Sequence, residues 1–175
     1  FRSKLQAMPT ADFPQPPEVE GASFAIDAAD FSRLIERTRY AISSTSSKFV
    51  MQGALLTVAG QVAAMVATDG KRLALATAAQ AQSGDARVIV PAKTLDALSG
   101  QLGAGSVEVT VGERHLFFAV NGRLVTSRTI DGEFPKYERI IPRDNDKVVT
   151  VDRGAMAQVL RRTLVAAEAN RAIRF

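Results

Sequence analysis

Thr68-Asp69-Gly70-Lys71-Arg72-Leu73-Ala74 is the stretch that decides how this chain folds. It separates two apolar runs, 61–67 and 73–77, which both have the composition of β-strands. Asp-Gly between apolar runs is a strong hairpin signal, because Gly accepts the positive φ that a primed two-residue turn requires. The turn needs only Asp69 and Gly70, so the neighbouring hydroxyl, two cations and leucine are additional. The stretch therefore predicts an antiparallel hairpin with a chemically mixed surface at its tip.

Composition places the chain among ordinary globular proteins. Its 175 residues are 46% hydrophobic and 23% charged, which suggests one or two domains with a real core. No apolar run approaches the roughly 18 residues of a membrane span, so we expect no membrane association. The absence of cysteine excludes disulfides and thiolate metal sites and agrees with a cytoplasmic location. The net charge of +4 permits a polyanionic partner without requiring one.

Few residues could support catalysis. His115 is the only histidine, so a two-histidine metal site cannot form. No Walker-type, G-x-G-x-x-G or G-x-S-x-G pattern occurs, and the spaced glycines of 100–105 follow a predicted helix, where they indicate a C-cap. Asp27, Asp30 and Asp152 stand at predicted helix starts, where capping explains them. We therefore expect neither an enzyme nor a cofactor or metal site.

An internal repeat runs along the chain. Residues 24–39 align with 149–164 at an offset of 125, with Asp27 opposite Asp152 at the start of an amphipathic helix. A second match, Asp12-Phe-Pro14 with Glu133-Phe-Pro135, has an offset of 121, and each copy follows a predicted strand with alternating charge, 2–8 or 123–130. Two matches in the same order indicate a duplicated domain of about 120 residues.

Each repeat is predicted to contain two β-α-β-β-β halves. Antiparallel strands with segregated helices give an α+β domain, with two helices packed on antiparallel sheets. The predicted strands are 22–27, 50–58, 61–68, 72–78, 86–90, 106–112, 114–120 and 122–130, and the predicted helices are 28–43 and 92–102.

The first helix has a clear apolar stripe. The stripe consists of Phe31, Leu34, Ile35, Thr38, Ala41 and Ile42. Arg33 and Arg37 share the opposite face, and Lys93 has a comparable position on the second helix. Solvation alone explains cations on an exposed helix face, but their excess over acids also suits contact with phosphates.

Several segments together resemble the bacterial DNA polymerase III β sliding clamp family. The resemblance extends over essentially all 175 residues, in the family's order. The hairpin and the Phe-Pro-x-Tyr segment are the most specific parts. The segments are 67–74, Val88-Ile-Val-Pro-Ala-Lys93, 131–142, Ala11-Asp-Phe-Pro14 and Arg171-Ala-Ile-Arg174.

The resemblance implies a DNA-clamp fold and a non-enzymatic role as a processivity factor of the replicative polymerase. In this family, two three-domain chains form a homodimeric ring around duplex DNA and bind it without sequence preference. The ring docks the polymerase, the clamp loader and other proteins that carry a short binding motif. The present chain would supply the end of a first domain (1–18), a complete middle domain (19–142) and the start of a third (143–175). We do not expect it to close a ring by itself.

The family's partner-peptide groove has counterparts here. The matching positions are Lys48, Met51, Thr68, Gly70, Lys71, Arg72, Leu73, Pro135, Arg139 and Ile140. Phe49 joins Arg33, Arg37 and Lys93 on the expected DNA-facing side. Lys71 stands where a His is frequent, and Asn170 where an aromatic residue can line the groove. The family's C-terminal Met-Pro-Met-like strand has no counterpart, so the groove would be only partly built.

Two other classes of function remain open from the residues alone. One is a standalone nucleic-acid-binding regulator that uses its basic helices, although no recognition-helix motif is evident. The other is an enzyme in which Asp69, Lys71 and Arg72 act on a small phosphorylated substrate, although no nucleophile with a partnered base is present.

Overall fold

The chain divides into two compact units, Phe1–Pro135 and Lys136–Phe175. The computed structural model describes residues 3–4, 6–13, 15–45 and 48–166, apart from the side chains of residues 80–83 and 166. In this described part, the first unit contains six antiparallel strands and two α-helices, and the second contains one α-helix. The α+β class predicted from the sequence is confirmed.

The first strand leads directly into the first helix. Strand β1 (Ala22–Asp27) is followed by helix α1 (Ala28–Thr38), and Asp27 Oδ1 accepts hydrogen bonds from the backbone amides of Ala29 and Asp30 at 3.0 and 3.1 Å. A carboxylate at this position satisfies amides that have no partner within the helix. A short 3-10 turn, Arg39–Ala41, continues the helix, so helical structure ends slightly earlier than predicted.

Two long strands form a ribbon that contains the hairpin. Strand β2 (Gly53–Thr68) pairs antiparallel with β3 (Leu73–Pro91), and the register shifts between Gly60 and Val62. The sequence predicted four short strands over this region, which is wrong. Gly60 has a φ of +58° and bends the ribbon, but pairing resumes beyond it, so neither strand is broken.

The remaining elements of this unit complete a four-stranded sheet. Helix α2 (Ala92–Ser99) ends at Gly100, as the spaced glycines predicted, and is three residues shorter than expected. Strands β4 (Ser106–Val111), β5 (His115–Val120) and β6 (Arg123–Arg128) join β1 in the order β1-β4-β5-β6. His115 is half-buried within β5, as expected for a strand residue.

One apolar core joins α1 and α2 to both sheets of the first unit. The predicted stripe of α1 and its 3-10 turn is buried throughout, with Phe31, Thr38 and Ala41 at 0% exposure. Phe31 stacks on Phe118 of β5 with 6.1 Å between ring centroids. The core also includes Phe24, Ile26, Leu34, Leu56, Met65, Ala67, Ala74, Leu95, Leu98, Val107, Val109 and Leu116.

A smaller buried cluster lies outside this core and anchors the chain that follows β6. Leu55 and Ile89 face each other across the ribbon, and both are buried. The Ile130 amide donates to the Ile89 carbonyl at 3.2 Å. Phe134, which is 2% exposed, lines one cleft together with Leu55 and Ile89. The phenylalanine of the second Phe-Pro motif, Phe134-Pro135, therefore has a structural role as a buried anchor. The equivalent Phe13 is exposed, and Pro14 lies outside the described residues.

The second unit repeats the start of the first. Helix α3 (Arg153–Ala166) begins after Asp152, whose Oδ1 accepts a hydrogen bond from the Ala155 amide at 2.7 Å. Thr163 Oγ1 donates to the Val159 carbonyl at 2.9 Å, as Thr38 Oγ1 donates to the Leu34 carbonyl at 2.7 Å in α1. The same cap and the same hydroxyl contact recur at an offset of 125, which strengthens the case for a repeat.

The strand predicted at 2–8 and the strand that the repeat predicts before Asp152 are not found among the described residues. Residues 149–152, and the described residues within 2–8, have no regular structure, because no described strand pairs with them. A strand is stable only where a neighbour accepts its backbone hydrogen bonds. The predictions for Asn170 and for 171–174 concern residues outside the described part of the chain.

Candidate functional site

The loop at the hairpin tip is wider than a two-residue turn. The ladder ends at the pair Thr68–Leu73, so the connection has four residues, 69–72. Gly70 has the expected positive φ of +88°, but Asp69 has no positive φ. The primed two-residue turn predicted for Asp69-Gly70 is therefore wrong. That turn type occurs instead at Asn121-Gly122, where φ is 50° and 72°.

One long backbone hydrogen bond, from the Asp69 amide to the Arg72 carbonyl at 3.4 Å, and several side-chain hydrogen bonds hold the loop in shape. Thr68 is buried, and its Oγ1 donates to the Arg72 carbonyl at 2.8 Å and accepts the Gly70 amide at 3.1 Å. Asp69 Oδ1 accepts the amides of Lys71 and Arg72, both at 3.0 Å. Asp69 Oδ2 accepts Arg72 Nε, also at 3.0 Å. Asp69 is therefore the residue that organises the tip.

These contacts lower the pKa of Asp69 below its ordinary value. The largest cause is the hydrogen bond from the Lys71 amide, followed by the bond from the Arg72 amide, and the Arg72 side chain adds a smaller effect. Hydrogen bonds to a carboxylate stabilise its charged form. The carboxylate is therefore ionised at physiological pH, the form that accepts these hydrogen bonds.

The loop presents Gly70, Lys71, Arg72 and Leu73 to the outside. Lys71 and Arg72 are exposed, and a Cβ at Gly70 would meet open space. Leu73 is half-buried and is not a member of the main core cluster, whereas its neighbour Ala74 is. Alternation along the strand explains this difference, because successive side chains point to opposite faces. The hairpin thus places an aliphatic side chain beside two cations.

Lys48 and Met51 lie in a turn before β2, although Met51 falls within the predicted strand 50–58. Residues Phe49–Gln52 form a 3-10 turn in which the Met51 amide donates to the Lys48 carbonyl at 3.0 Å. The Ser43 amide donates to the Met51 carbonyl at 3.0 Å, which ties this turn to the end of the first helical segment. Lys48 is exposed, and Met51 is half-buried.

The other predicted groove residues lie near the boundary of the two units. Pro135 is half-buried at the end of the first unit. Arg139 belongs to a 3-10 turn of the second unit, Tyr137–Arg139, and Ile140 follows directly with 64% of its side chain exposed. Arg139 and Ile140 therefore remain predictions for the groove.

Tyr40 is a neighbour of the hairpin that the sequence did not reveal. The Arg72 guanidinium carbon lies 5.7 Å from the centroid of the Tyr40 ring. Tyr40 is 59% exposed although Ala41 and Ile42, which follow it, are buried. An exposed aromatic residue beside the apolar stripe was the only signal available in the sequence.

The predicted DNA-facing cations differ in their surroundings. Arg33, Arg37 and Lys93 are all exposed, as the helix periodicity predicted. Arg33 forms an ion pair with Asp30, one turn earlier in α1. Arg37 and Lys93 have no ion-pair partner among the described residues. The charge of these two is therefore more available to a polyanion.

Phe49 and Lys93 line one shared cleft. The cleft has a volume of about 450 Å³ and also includes Ser44 and Pro91. Phe49 is 73% exposed. An exposed aromatic ring and an ammonium group at one cleft can contact a base or sugar and a phosphate, respectively.

A bidentate ion pair joins the 3-10 turn that follows α1 to helix α2. Arg39 Nε and Nη2 donate to the two carboxylate oxygens of Asp96 at 2.6 and 2.8 Å. This hydrogen bonding holds the pKa of Asp96 below its ordinary value. Arg39 is therefore largely neutralised.

The described residues contain neither a cluster suited to a metal ion nor a helix suited to a bilayer. Within those ranges, no three His, Asp or Glu side chains are grouped so that they could hold a metal ion. No helix in the same part of the chain has the length and hydropathy of a bilayer span.

Comparison with known proteins identifies the family. A sequence profile described as "DNA polymerase III beta subunit, central domain" matches residues 25–136. The beta sliding clamp of Pseudomonas aeruginosa is 37% identical over 169 residues, which cover 94% of this chain and 46% of the relative. The clamp of Caulobacter vibrioides is 34% identical over 183 residues, with 99% and 49% covered. The chain therefore belongs to the DNA polymerase III beta subunit family of sliding clamps.

Solved structures agree with this assignment. A crystal structure of a sliding clamp from Pseudomonas aeruginosa bound to griselimycin matches with a TM-score of 0.88 and 34% identity, and the match covers 94% of this chain and 46% of that one. The chain thus spans about half the length of the relatives it matches. The fold is the DNA-clamp fold that the sequence predicted.

The chemistry of Asp69 can be tested by titration. We expect its carboxyl group to titrate below the ordinary Asp value of about 3.9. Because the folded-state pKa is lowered, the stability that Asp69 contributes is present above the unfolded pKa and is lost as pH falls through the folded pKa. NMR-monitored titration of the Asp69 carboxyl carbon measures this directly.

The variant Arg72→Ala is the matched control for this titration. It removes the side-chain contact but keeps both backbone amides, so the pKa of Asp69 should rise only part of the way to its ordinary value. Titration of wild-type Asp69 at the ordinary value would show that the loop contacts are absent in solution.

Proposed function

We propose that the protein containing this chain is the processivity factor of the replicative DNA polymerase. It acts as a non-catalytic accessory subunit: a homodimeric ring encircles duplex DNA and tethers proteins that dock on it. The membership of the sliding-clamp family, shown by the match over residues 25–136, is the observation that carries this proposal. Cytoplasmic replication proteins, including the polymerase and the clamp loader, are the proposed partners.

The domain organisation is part of the same proposal. Residues 1–18 would end a first domain, 19–142 would form the middle domain, and 143–175 would begin a third. In support, α3 repeats the cap of α1 but leaves Val159 55% exposed, whereas its counterpart Leu34 in α1 is 1% exposed. An apolar face of this kind is normally covered by the rest of a domain.

The hairpin is the proposed centre of the partner groove. Leu73 and Met51 would contact apolar side chains of a partner segment, and Lys48, Lys71 and Arg72 would donate to its carbonyl or carboxylate groups. The half-buried position of Leu73 at a rigid loop supports this role. Pro135, Arg139 and Ile140 would extend the groove.

The basic helix faces are the proposed DNA surface. Exposed cations attract phosphates without reading bases, which allows a ring to slide. Arg37 and Lys93 would contribute most, because Asp30 already neutralises part of the charge of Arg33. Phe49 would contact the DNA at the cleft that it shares with Lys93.

The groove is tested by replacing Leu73 with Asp. In the full-length protein, Leu73→Asp should abolish binding of a Gln-Leu-x-Leu-Phe peptide, because burial of a leucine side chain contributes roughly 1.5–3 kcal/mol. Arg72→Ala should weaken binding less, since water can partly replace its hydrogen bonds. Calorimetric titration with the peptide measures both effects.

The matched control for this test is Leu124→Asp, which places the same charge on an exposed leucine of β6. It should leave the peptide affinity unchanged, and neither variant should lower the melting temperature strongly. If Leu73→Asp binds the peptide as the wild type does, or loses affinity only through unfolding, the hairpin is not the site.

The DNA surface is tested by the triple variant Arg33→Gln, Arg37→Gln, Lys93→Gln. Loss of three phosphate contacts should reduce the slope of log affinity against log salt by about 2–3, equally for all DNA sequences. The double variant of Arg37 and Lys93 should give most of this change. Fluorescence anisotropy with duplex DNA at several salt concentrations supplies the slope.

The control is a second triple variant, which removes the same number of positive charges from the strands and their turns. It replaces three exposed arginines, Arg87, Arg114 and Arg128. Its salt slope should equal that of the wild type. Equal slopes for the helix triple and the wild type would show that the helix cations are ordinary solvated surface groups.

A further inference from the structure

Tyr40 occupies an unusual position for a large aromatic side chain. It belongs to the 3-10 turn Arg39–Ala41, and Ala41 and Ile42 directly after it are buried in the core at 0% and 6% exposure. The backbone beneath the ring is therefore fixed, while the ring itself is 59% exposed. Its face is covered in part by the guanidinium group of Arg72, at 5.7 Å from the ring centroid.

Arg72 is restrained from two directions. Its Nε donates to Asp69 Oδ2 at 3.0 Å, and its guanidinium carbon lies over the Tyr40 ring. Within the described part of the chain, its two terminal NH2 groups have no further partner, and 58% of the side chain is exposed. A guanidinium group held in this way keeps two parallel donors free for a carboxylate or carbonyl.

We propose that Tyr40 is a positioning residue of the partner groove, which fixes the guanidinium group of Arg72 before a partner segment arrives. This inference rests on the proposed function of the hairpin. It extends the functional surface from the hairpin to the end of α1, a region to which no groove role was assigned from the sequence. Tyr40 acts through Arg72 and need not touch the partner.

The physical benefit is pre-organisation. A free arginine side chain samples many rotamers, and binding must restrict them at a cost in entropy. The hydrogen bond to Asp69 restrains Nε but still allows the guanidinium group to rotate about the carboxylate. The Tyr40 ring beside the guanidinium group limits this rotation. An exposed cation–π contact of this kind corresponds to about a two- to five-fold change in affinity.

Two substitutions separate the ring face from the phenol group. Tyr40→Phe keeps the π face and should bind the Gln-Leu-x-Leu-Phe peptide as tightly as the wild type. Tyr40→Leu keeps apolar bulk but removes the π face, so its Kd should rise about two- to five-fold. In an Arg72→Ala background, Tyr40→Leu should have no further effect, because the two residues act as one unit.

A second readout follows Arg72 in the absence of peptide. The Nε–Hε resonance of Arg72 should move towards its random-coil position in Tyr40→Leu and stay in place in Tyr40→Phe. Equal melting temperatures of the variants would exclude unfolding as the cause of either effect. A weaker affinity and a shifted Arg72 resonance in Tyr40→Leu at an unchanged melting temperature, with rescue by Phe, are the results that a merely structural role for Tyr40 does not produce.

The outcomes distinguish this inference from the proposed groove itself. If Leu73→Asp abolishes peptide binding and Tyr40→Leu changes neither the Kd nor the Arg72 resonance, the groove stands and the role of Tyr40 is overturned. An additive effect of Tyr40→Leu in the Arg72→Ala background also overturns it. If Leu73→Asp binds normally, the groove fails, and positioning of Arg72 for recognition fails with it.

Discussion

The pairing register of β2 with β3 is the constraint on which the rest of the structure depends. The pair Thr68–Leu73 sets it at the loop, and pairing resumes with Gly60–Gly84 beyond the bend. In this register Ala67 and Ala74 face the core, while Leu73 faces away. A shift by one residue would exchange the two faces, exposing core side chains and burying the proposed contact residue. One choice of register therefore determines both the packing and the surface of the hairpin.

The cations on the surface of the described structure fall into two groups, those with an acidic partner and those without one. Acidic partners already hold Arg33, Arg39 and Arg72, whereas Arg37 and Lys93 have no such partner in the described structure. The held guanidinium groups lose freedom but keep some of their donors, which suits specific recognition. The two unpaired cations retain full charge, which suits the sequence-independent contact with phosphates that we propose for them. The modest net charge of +4 is consistent with both proposed uses.

Much of the fold could be predicted from local patterns, and the failures have physical reasons. The stripe of α1 and the caps Asp27 and Asp152 follow from helical periodicity and from unsatisfied amides, and both are confirmed. The sequence predicted that one strand ends and another begins near Gly60. Glycine is typical both of a bulge within a strand and of a turn between strands, so the sequence does not distinguish the two. The four-residue loop was missed because it depends on the hydrogen bonds of Asp69. Tyr40 was missed because its partner, Arg72, is 32 positions away in the sequence. The roles of the groove and DNA-facing residues stay predictions.

The most direct test of the central claim uses the absence of cysteine from the chain. In the full-length protein, the variants Leu73→Cys and Ala74→Cys are labelled with a thiol reagent under native conditions, with and without partner peptide, and labelling is read at these two positions. The register predicts rapid labelling at position 73, slowed by the peptide, and negligible labelling at position 74 until the protein unfolds. Equal labelling at both positions, faster labelling at 74, or no protection of 73 by bound peptide would contradict the claim that the hairpin turns Leu73 outward to meet a partner.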